Sequence, residues 1–450
     1  MKEMSKFFYL ETFGCQMNVV DSEQIVDLLQ AGGYRPVEDP ENADLILLNT
    51  CSVRDKAERK VYGHLGRFKP LKQRRPDLII GVGGCVAQQE GERLLQKLPF
   101  VDLVFGTHNI HRLPEMVAGA QRRDRRAETQ FLDRETRKNL FPERSTDGNI
   151  TRFVTIMQGC DNFCSYCIVP HVRGREISRP SADILDEVRE MADRGVREVT
   201  LLGQNVNSYG ANEPGELSFA QLLHEVHEVE GIERIRFTTS HPKDLSDDLI
   251  RCFGELPKLA THLHLPVQCG SDAVLEKMNR GYTREEYLDK VQRLKEACPD
   301  IRLTSDIIVG FPGETEEQFE QTLTLMEKVR FADVFSFLYS RREGTAAADL
   351  EESLPPQRKQ ERFDRLLTLQ QAISTGIWQQ DVGQTLPVLV EGESRQKGEL
   401  FGRTTWNRIV HFEADSSLIG RIVPVRVIAS MKNSQRGELP ASVEPMRRTG

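Results

Sequence analysis

From about Phe7 to Ala120, short apolar runs alternate with longer amphipathic stretches. Phe7–Thr12, Asp44–Asn49, Leu78–Val82 and Val101–Phe105 are predicted strands, and Asp21–Gln30, Lys56–Phe68 and Gln88–Lys97 are predicted helices. Such alternation builds a mainly parallel sheet with helices on its faces. Gln121–Asn149 interrupts the pattern. It is polar, carries Arg122, Arg123, Asp124, Arg125 and Arg126, and reads as a solvated linker. From about Ile150 to Thr375 the strand–helix unit recurs six times. Its strands are Phe153–Met157, Glu198–Leu202, Arg234–Thr238, His262–Pro266, Thr304–Val309 and Asp333–Tyr339, with helical patterns such as Ala182–Ala192, Phe219–Val229, Arg284–Ala297 and Glu316–Lys328 between them. Six βα units with right-handed crossovers curl into a partial (β/α)6 version of the TIM-like barrel. Past Trp378, the runs Leu386–Val390, Arg408–Phe412 and Ile422–Ile428 are broken by Gly, Asn and Ser and predict a small antiparallel, OB-like β-barrel. The fold class is therefore α/β, with domains expected at 5–121, 146–376 and 378–446 and a linker at 122–145.

The length of 450 residues suits two or three such domains, and 38% hydrophobic residues are enough to give each a core. A net charge of -8 argues against a broadly basic nucleic-acid surface and leaves room for a local patch. The segment from Asp381 onward has ten Lys/Arg against eight Asp/Glu, so it is basic only relative to the rest. No apolar run reaches the roughly 18–20 residues of a membrane span, and Met1–Leu10 has no signal-peptide pattern. A cytoplasmic protein with no membrane partner is expected. In that compartment the nine cysteines are thiols, metal ligands or catalysts rather than disulfides.

Three of them, Cys160, Cys164 and Cys167, form a C-x3-C-x2-C motif directly after a predicted strand. Thiolates favour iron, and iron–sulfur clusters are normally held by cysteine. Three close thiolates on a [4Fe–4S] cube leave one iron open for chemistry, whereas an electron carrier uses four ligands. The loop would lie at the C-terminal mouth of the barrel, where barrel active sites form. A zinc site would need a fourth ligand, for which His171 is the nearby candidate. Cys15, Cys51 and Cys85 are far apart in sequence, yet each follows a predicted strand of the first domain. The carboxyl ends of parallel strands share one edge of the sheet. A second three-cysteine [4Fe–4S] site can therefore assemble there, with Gly14, Gly83 and Gly84 allowing close backbone approach; the alternative is three thiols buried as small hydrophobes. Cys252 and Cys298 fall in helical patterns and read as packing, and Cys269 lies past the fourth barrel strand with no assigned role.

The cysteine loop resembles the radical-SAM superfamily, and the resemblance implies that the open iron binds the amino and carboxylate groups of S-adenosylmethionine (SAM) and cleaves it to a 5′-deoxyadenosyl radical. Leu202-Gly203-Gln204-Asn205 stands where the superfamily contacts the SAM amino group, and Asp306–Glu314 puts Gly310 where adenosine approaches; each could also be an ordinary strand-end turn. Tyr166 is placed either against the adenine or as an exposed loop residue. Across nearly the whole chain the sequence is similar to the radical-SAM methylthiotransferases, through Gly14–Asn18 with Asp21-Ser22-Glu23, Asn49–Arg54, Gly84–Gln88, Gln204–Asn207, Thr239–Pro242 and Met278-Asn279-Arg280. The last segment, with Gly402-Arg403-Thr404 and Asn407-Arg408, looks like the RNA-binding TRAM barrel. The departures are Cys269 for a usual serine, and Arg341 and Ala346 for common prolines.

The resemblance implies methylthiolation of N6-isopentenyladenosine next to the anticodon of tRNA, at C2. It further implies two SAM molecules, two [4Fe–4S] clusters, and the same chemistry on a ribosomal-protein aspartate or threonylcarbamoyladenosine as the alternative. The partners it implies are the tRNA anticodon arm and a low-potential electron donor such as flavodoxin or ferredoxin. A monomer is expected, and the sulfur donor is left unidentified. Arg403, Arg408 and Lys432 are the candidate phosphate contacts, or else a solvated barrel face.

Overall fold

Alternate residues of the first-domain strands enter two different cores, as a period of two requires for a sheet buried on both faces. In the computed structural model, Leu45 and Leu47 join Ile79, Leu103 and Phe105 on one face, while Ile46 and Leu48 join Ile80, Val82 and Val104 on the other. The structure describes residues 6–52, 55–132, 136, 140, 141, 149–352 and 354–440. Val53 and Arg54 of the Asn49–Arg54 motif lie outside these residues, as do 5, 441–446, part of the expected linker (133–135, 137–139, 142–145) and the first three residues of the expected second domain (146–148).

The first sheet consists of β1 (Lys6–Thr12), β2 (Tyr34–Pro36), β3 (Leu45–Thr50), β4 (Ile79–Gly84), β5 (Leu103–Phe105) and β6 (Arg126–Glu128), in the order β2-β1-β3-β4-β5-β6. Every pairing is parallel. Helices α1 (Gln16–Ala31), α2 (Asp55–Arg74), α3 (Cys85–Glu90), α4 (Glu92–Lys97) and α5 (Leu113–Gln121) cover its faces. Helix α1 starts five positions before the predicted Asp21, because extended Cys15 (φ -106°, ψ 177°) serves as its N-cap. Gly91, at φ +52°, divides the single helix expected over 88–97 into α3 and α4.

Strand β6 corrects the linker expectation: Arg126–Glu128 pairs with Leu103–Phe105 as the last strand of the sheet. Its charged residues suit an edge strand. Arg112 pairs with Glu128 at 2.6 Å, and Arg126 pairs with Asp124 and Glu115.

The second domain contains β7 (Thr151–Thr155), a small hairpin β8 (Met157–Gln158) and β9 (Ile177–Ser178), then β10 (Glu198–Leu202), β11 (Arg234–Thr238), β12 (His262–His264), β13 (Arg302–Val309) and β14 (Asp333–Leu338). Two parallel triplets, β11-β10-β7 and β12-β13-β14, meet at the parallel bridge Ile235↔Leu259 and form an open six-stranded arc. Its helices are α6 (Val169–Arg173), α7 (Ser181–Asp193), α8 (Phe219–His227), α9 (Asp247–Glu255), α10 (Asp272–Lys277), α11 (Arg284–Ala297), α12 (Glu316–Val329) and α13 (Pro356–Gln379). Met17 and Val20 of α1 pack with Leu202 and Phe153, so the first domain lies against the β7 side of the arc.

The third domain is a closed barrel of β15 (Thr385–Glu393), β16 (Glu399–Thr404), β17 (Ile409–Glu413), β18 (Ile422–Ser430) and β19 (Ser434–Glu438). The expected small antiparallel barrel is present, with four antiparallel pairings and one parallel, β17 with β19. A ring with an odd number of strands cannot alternate direction all the way round. This barrel sits on the N-terminal ends of the arc's strands. Arg234 and Arg236 donate to the carbonyls of Arg403, Thr404 and Thr405. Arg302 pairs with fully buried Asp381 and stacks on Trp378 and Trp406 at 4.5 and 3.6 Å. Arg408 is not a free phosphate contact: it is buried, stacks on Trp378 at 4.6 Å, and donates to the carbonyls of Lys432 and Ser434. Arg403 is tied to Glu391, whereas Lys432 is exposed.

Candidate active site

In a sheet of order 2-1-3-4-5, ligands bind beyond the carboxyl ends of the strands at the point where the order reverses, between β1 and β3. Cys15 follows β1 and Cys51 follows β3; Cys85 follows the adjacent β4 and begins α3. A Cβ on Gly14, which has φ +118°, would collide with Cys51 and lie 2.8 Å from its Sγ, so only glycine lets the two segments pass. Asn18 and Asn49 fasten the strand ends. Asn18 Nδ2 donates to the carbonyls of Thr50 (2.9 Å) and Phe13 (3.0 Å), and Asn49 Nδ2 donates to the Asn18 carbonyl (2.9 Å) and Ser22 Oγ (2.9 Å). The hydrogen bond between Cys15 and Cys51 lowers the Cys15 pKa to about 6, helped by the charge of Arg173. Burial raises that of Cys85.

The second trio lies in the loop between β8 and α6. The Cys167 N–H donates to the Cys164 carbonyl (2.9 Å), the Cys160 N–H donates to the Gly174 carbonyl (3.2 Å), and the Gly159 N–H donates to Gln204 Oε1 (2.5 Å). Burial and mutual repulsion push Cys160 up to about 11 and Cys167 up to about 12. All nine cysteines are free thiols. Among the described residues no three Cys, His, Asp or Glu side chains are disposed to hold one ion. The donor chemistry fits a cube, which takes one thiolate per iron and so keeps its ligands further apart than a single ion does.

One residue that the sequence reading missed joins the two trios. Arg173, at the end of α6, is buried and donates to Asp21 Oδ1 (3.2 Å) and Asn18 Oδ1 (3.1 Å); it also hydrogen-bonds Cys85. Cys85 packs on Ile168 and Val172, just past Cys167. His108 receives the Leu132 N–H on Nδ1 (3.1 Å), so its Nε2–H donates to the Arg173 carbonyl (2.8 Å). Burial lowers its pKa to about 4 and keeps it neutral. The faint signal for Arg173 was an arginine six residues after the last cysteine of the motif.

Around the loop, several buried polar atoms have no partner among the described residues: Gln158 Nε2, Gln204 Nε2, Asn205 Oδ1, Asn207 Oδ1, Ser240 Oγ and Glu176 Oε1. Such orphans call for a ligand. Amide donors beside carboxylate and amide acceptors suit a molecule that carries both a carboxylate and an ammonium, as the methionyl end of SAM does. Burial lifts the Glu176 pKa to about 7, while Ser208 donates to its other oxygen at 2.7 Å.

Gly203 leaves no room for a Cβ beside Met157, and Gly310 (φ +75°) lies under the Lys359 side chain of α13, with its N–H given to Glu314 (2.8 Å). Tyr166 is partly buried rather than exposed, with its hydroxyl 3.3 Å from Arg280 Nη1. Cys269 is fully buried, 3.4 Å from Thr322 Oγ1.

An arc of parallel βα units whose first strand leads into a three-cysteine loop at the mouth defines a radical SAM enzyme. The sequence models agree: residues 154–326 match the radical SAM superfamily, 7–106 match the uncharacterized protein family UPF0004, and 379–439 match the TRAM domain. Among solved structures, the radical SAM methyltransferase TsrM from Kitasatospora setae, with cobalamin and a [4Fe-4S] cluster bound, shares the fold with TM-score 0.58 at 15% identity, over 77% of this chain and 74% of that one. The chain is 64% identical over 435 residues to the tRNA-2-methylthio-N(6)-dimethylallyladenosine synthase of Syntrophotalea carbinolica, covering 96% of this chain and 99% of that protein. It is 62% identical to the synthase of the same name from Geobacter sulfurreducens, covering 97% and 98%. The chain belongs to the family of tRNA-2-methylthio-N(6)-dimethylallyladenosine synthases.

Proposed function

We propose that this chain methylthiolates C2 of N6-isopentenyladenosine next to the anticodon (position 37) of tRNA. It uses two SAM molecules, one as methyl donor and one as radical source, and two [4Fe–4S] clusters. The observation that carries the reading is the convergence of two cysteine trios on one junction, spanned by Arg173. Cys160, Cys164 and Cys167 hold one cluster, and Cys15, Cys51 and Cys85 hold the other. When bound, the clusters supply the electron that cleaves SAM and an open iron for sulfur, which suits an aromatic C–H that no acid or base deprotonates usefully. The protein's own part is positional. Gln204 and Glu176 face the SAM headgroup, Tyr166 and Gly310 line the nucleoside end, and the closed barrel grips the anticodon arm, where loop bases are unstacked and readable. A low-potential donor such as flavodoxin or ferredoxin, a cytoplasmic location and a monomeric chain complete the proposal. No helix among the described residues is long and apolar enough to cross a membrane.

A strain lacking the gene should show tRNA with isopentenyladenosine and without its 2-methylthio form by nucleoside mass spectrometry, restored by the gene. Intact tRNA modification together with a lost ribosomal-protein modification would reject the tRNA substrate. Gly159→Ala is expected to halve the iron bound after anaerobic reconstitution, to about four per chain. Its Cβ would run into the Arg175 carbonyl, and φ there is +86°. Iron unchanged from the parent in that folded variant would show that the bound iron does not depend on the geometry of this loop.

A further inference from the structure

The segment after α10, Met278-Asn279-Arg280, has no part in the function above, yet it clasps the cysteine loop. Its neighbour Lys277 begins the clasp, taking Ser165 Oγ–H on its carbonyl at 2.7 Å. The Met278 carbonyl accepts the Ser165 N–H at 3.0 Å, and Asn279 Nδ2 donates to the Phe163 carbonyl at 3.1 Å. Asn279 has φ +56°, a left-handed turn that asparagine tolerates better than most residues. Past this turn, Arg280 is buried and its donors are committed. Nη2 donates to the Pro266 carbonyl (2.7 Å), and Nε donates to the Tyr282 hydroxyl (3.1 Å), which itself donates to the Val267 carbonyl (2.8 Å). This bracing aims Nη1 at Cys164 Sγ, 3.2 Å away, and at the Tyr166 hydroxyl, 3.3 Å away. His241 also reaches that sulfur: its Nδ1 accepts the Lys243 N–H (3.2 Å), so the Nε2 that lies 3.8 Å from Sγ carries the proton. Arg280 brings a full positive charge as well as a hydrogen bond, whereas His241 brings only the bond.

Reduction potentials of iron–sulfur groups depend on hydrogen bonds to sulfur, net charge and solvent exposure. We propose that Arg280 is a positioning residue that holds the Cys164 thiolate by an N–H···S bond and raises the reduction potential of the cluster bound there, by stabilising its more negative, reduced state. The proposal rests on Cys164 being an iron ligand.

The test is an EPR-monitored redox titration of the reconstituted full chain, following the signal that Cys160→Ala removes. At the native midpoint, Arg280→Gln should lower the ratio of reduced to oxidised cluster about tenfold, which is about 59 mV for one electron. Arg280→Lys, which keeps the charge, should recover most of it. An unchanged midpoint in Arg280→Gln at full iron content overturns the proposal. Should that variant lose its iron, Tyr282→Phe decides: with the Nε partner gone and the arginine kept, the midpoint should fall by a smaller amount, and no fall overturns the proposal. Absence of the Cys160-dependent signal from the native chain would instead defeat the functional reading itself.

Discussion

Cys160→Ala is expected to end SAM cleavage, and Cys51→Ala is expected to leave cleavage intact while stopping methylthio transfer. The first substitution removes one of the three proposed ligands from a loop that is fastened by the Cys160 N–H to Gly174 and closed internally by the Cys167 N–H to Cys164. The loss should exceed the roughly 100-fold that a missing second-layer partner costs. Cys51 instead belongs to the switch point of the first sheet, beside Gly14 and Cys15. Cys85 and Arg173 stand between that switch point and the loop. The measurement is anaerobic turnover with dithionite, reading 5′-deoxyadenosine by chromatography and the modified nucleoside by mass spectrometry. Equal loss of cleavage in both folded variants would refute this division of labour.

Arg173→Met should destabilise the chain by about 3–5 kcal/mol, the usual result of removing one partner from a buried ion pair. Asp21 would stay buried beside the polar Asn18, and both oxygens of its carboxylate would lose their donors. The His108 bond to the Arg173 backbone would survive and limit the damage. The first domain should then open from the arc earlier than the rest unfolds, visible as a lower urea midpoint and as proteolysis between the two. Adding Asp21→Leu should restore much of the stability, because an apolar pair avoids the desolvation penalty. If Arg173→Met matches the parent in urea, the junction is held by the apolar contacts of Met17 and Val20 instead.

Most of the architecture was legible because its elements carry strong periodicity. Strands β3, β4, β10 and β13 are apolar runs bounded by Gly, Asn or Asp, and all were predicted to within a residue or two. What escaped were elements set by partners rather than by pattern. Tyr34–Pro36 and Arg126–Glu128 are three-residue edge strands that exist only because a neighbour offers free backbone groups. The cysteines were readable from spacing and from their place after strands. Arg173 and Arg280 were not read as site residues, since an arginine is most often a solvated surface residue and only tertiary contact shows otherwise. Arg408 erred in the opposite direction: a basic residue in a presumed RNA-binding barrel turned out to be stacked on Trp378 and used up on its own loop. Gly310 had a local cause as well, the passage of Lys359 over the strand end.

The closed barrel is seated on the N-terminal ends of β11, β12 and β13, while both cysteine trios lie at the opposite end of the arc. Strands β11 and β13, of five and eight residues, separate the two by roughly 20 Å at about 3.3 Å per residue. A lone nucleoside cannot touch both ends, but a folded stem and loop can. With the barrel gripping the anticodon arm as proposed above, the molecule acts in effect as a ruler: the distance between grip and chemistry would favour an intact arm over its fragments.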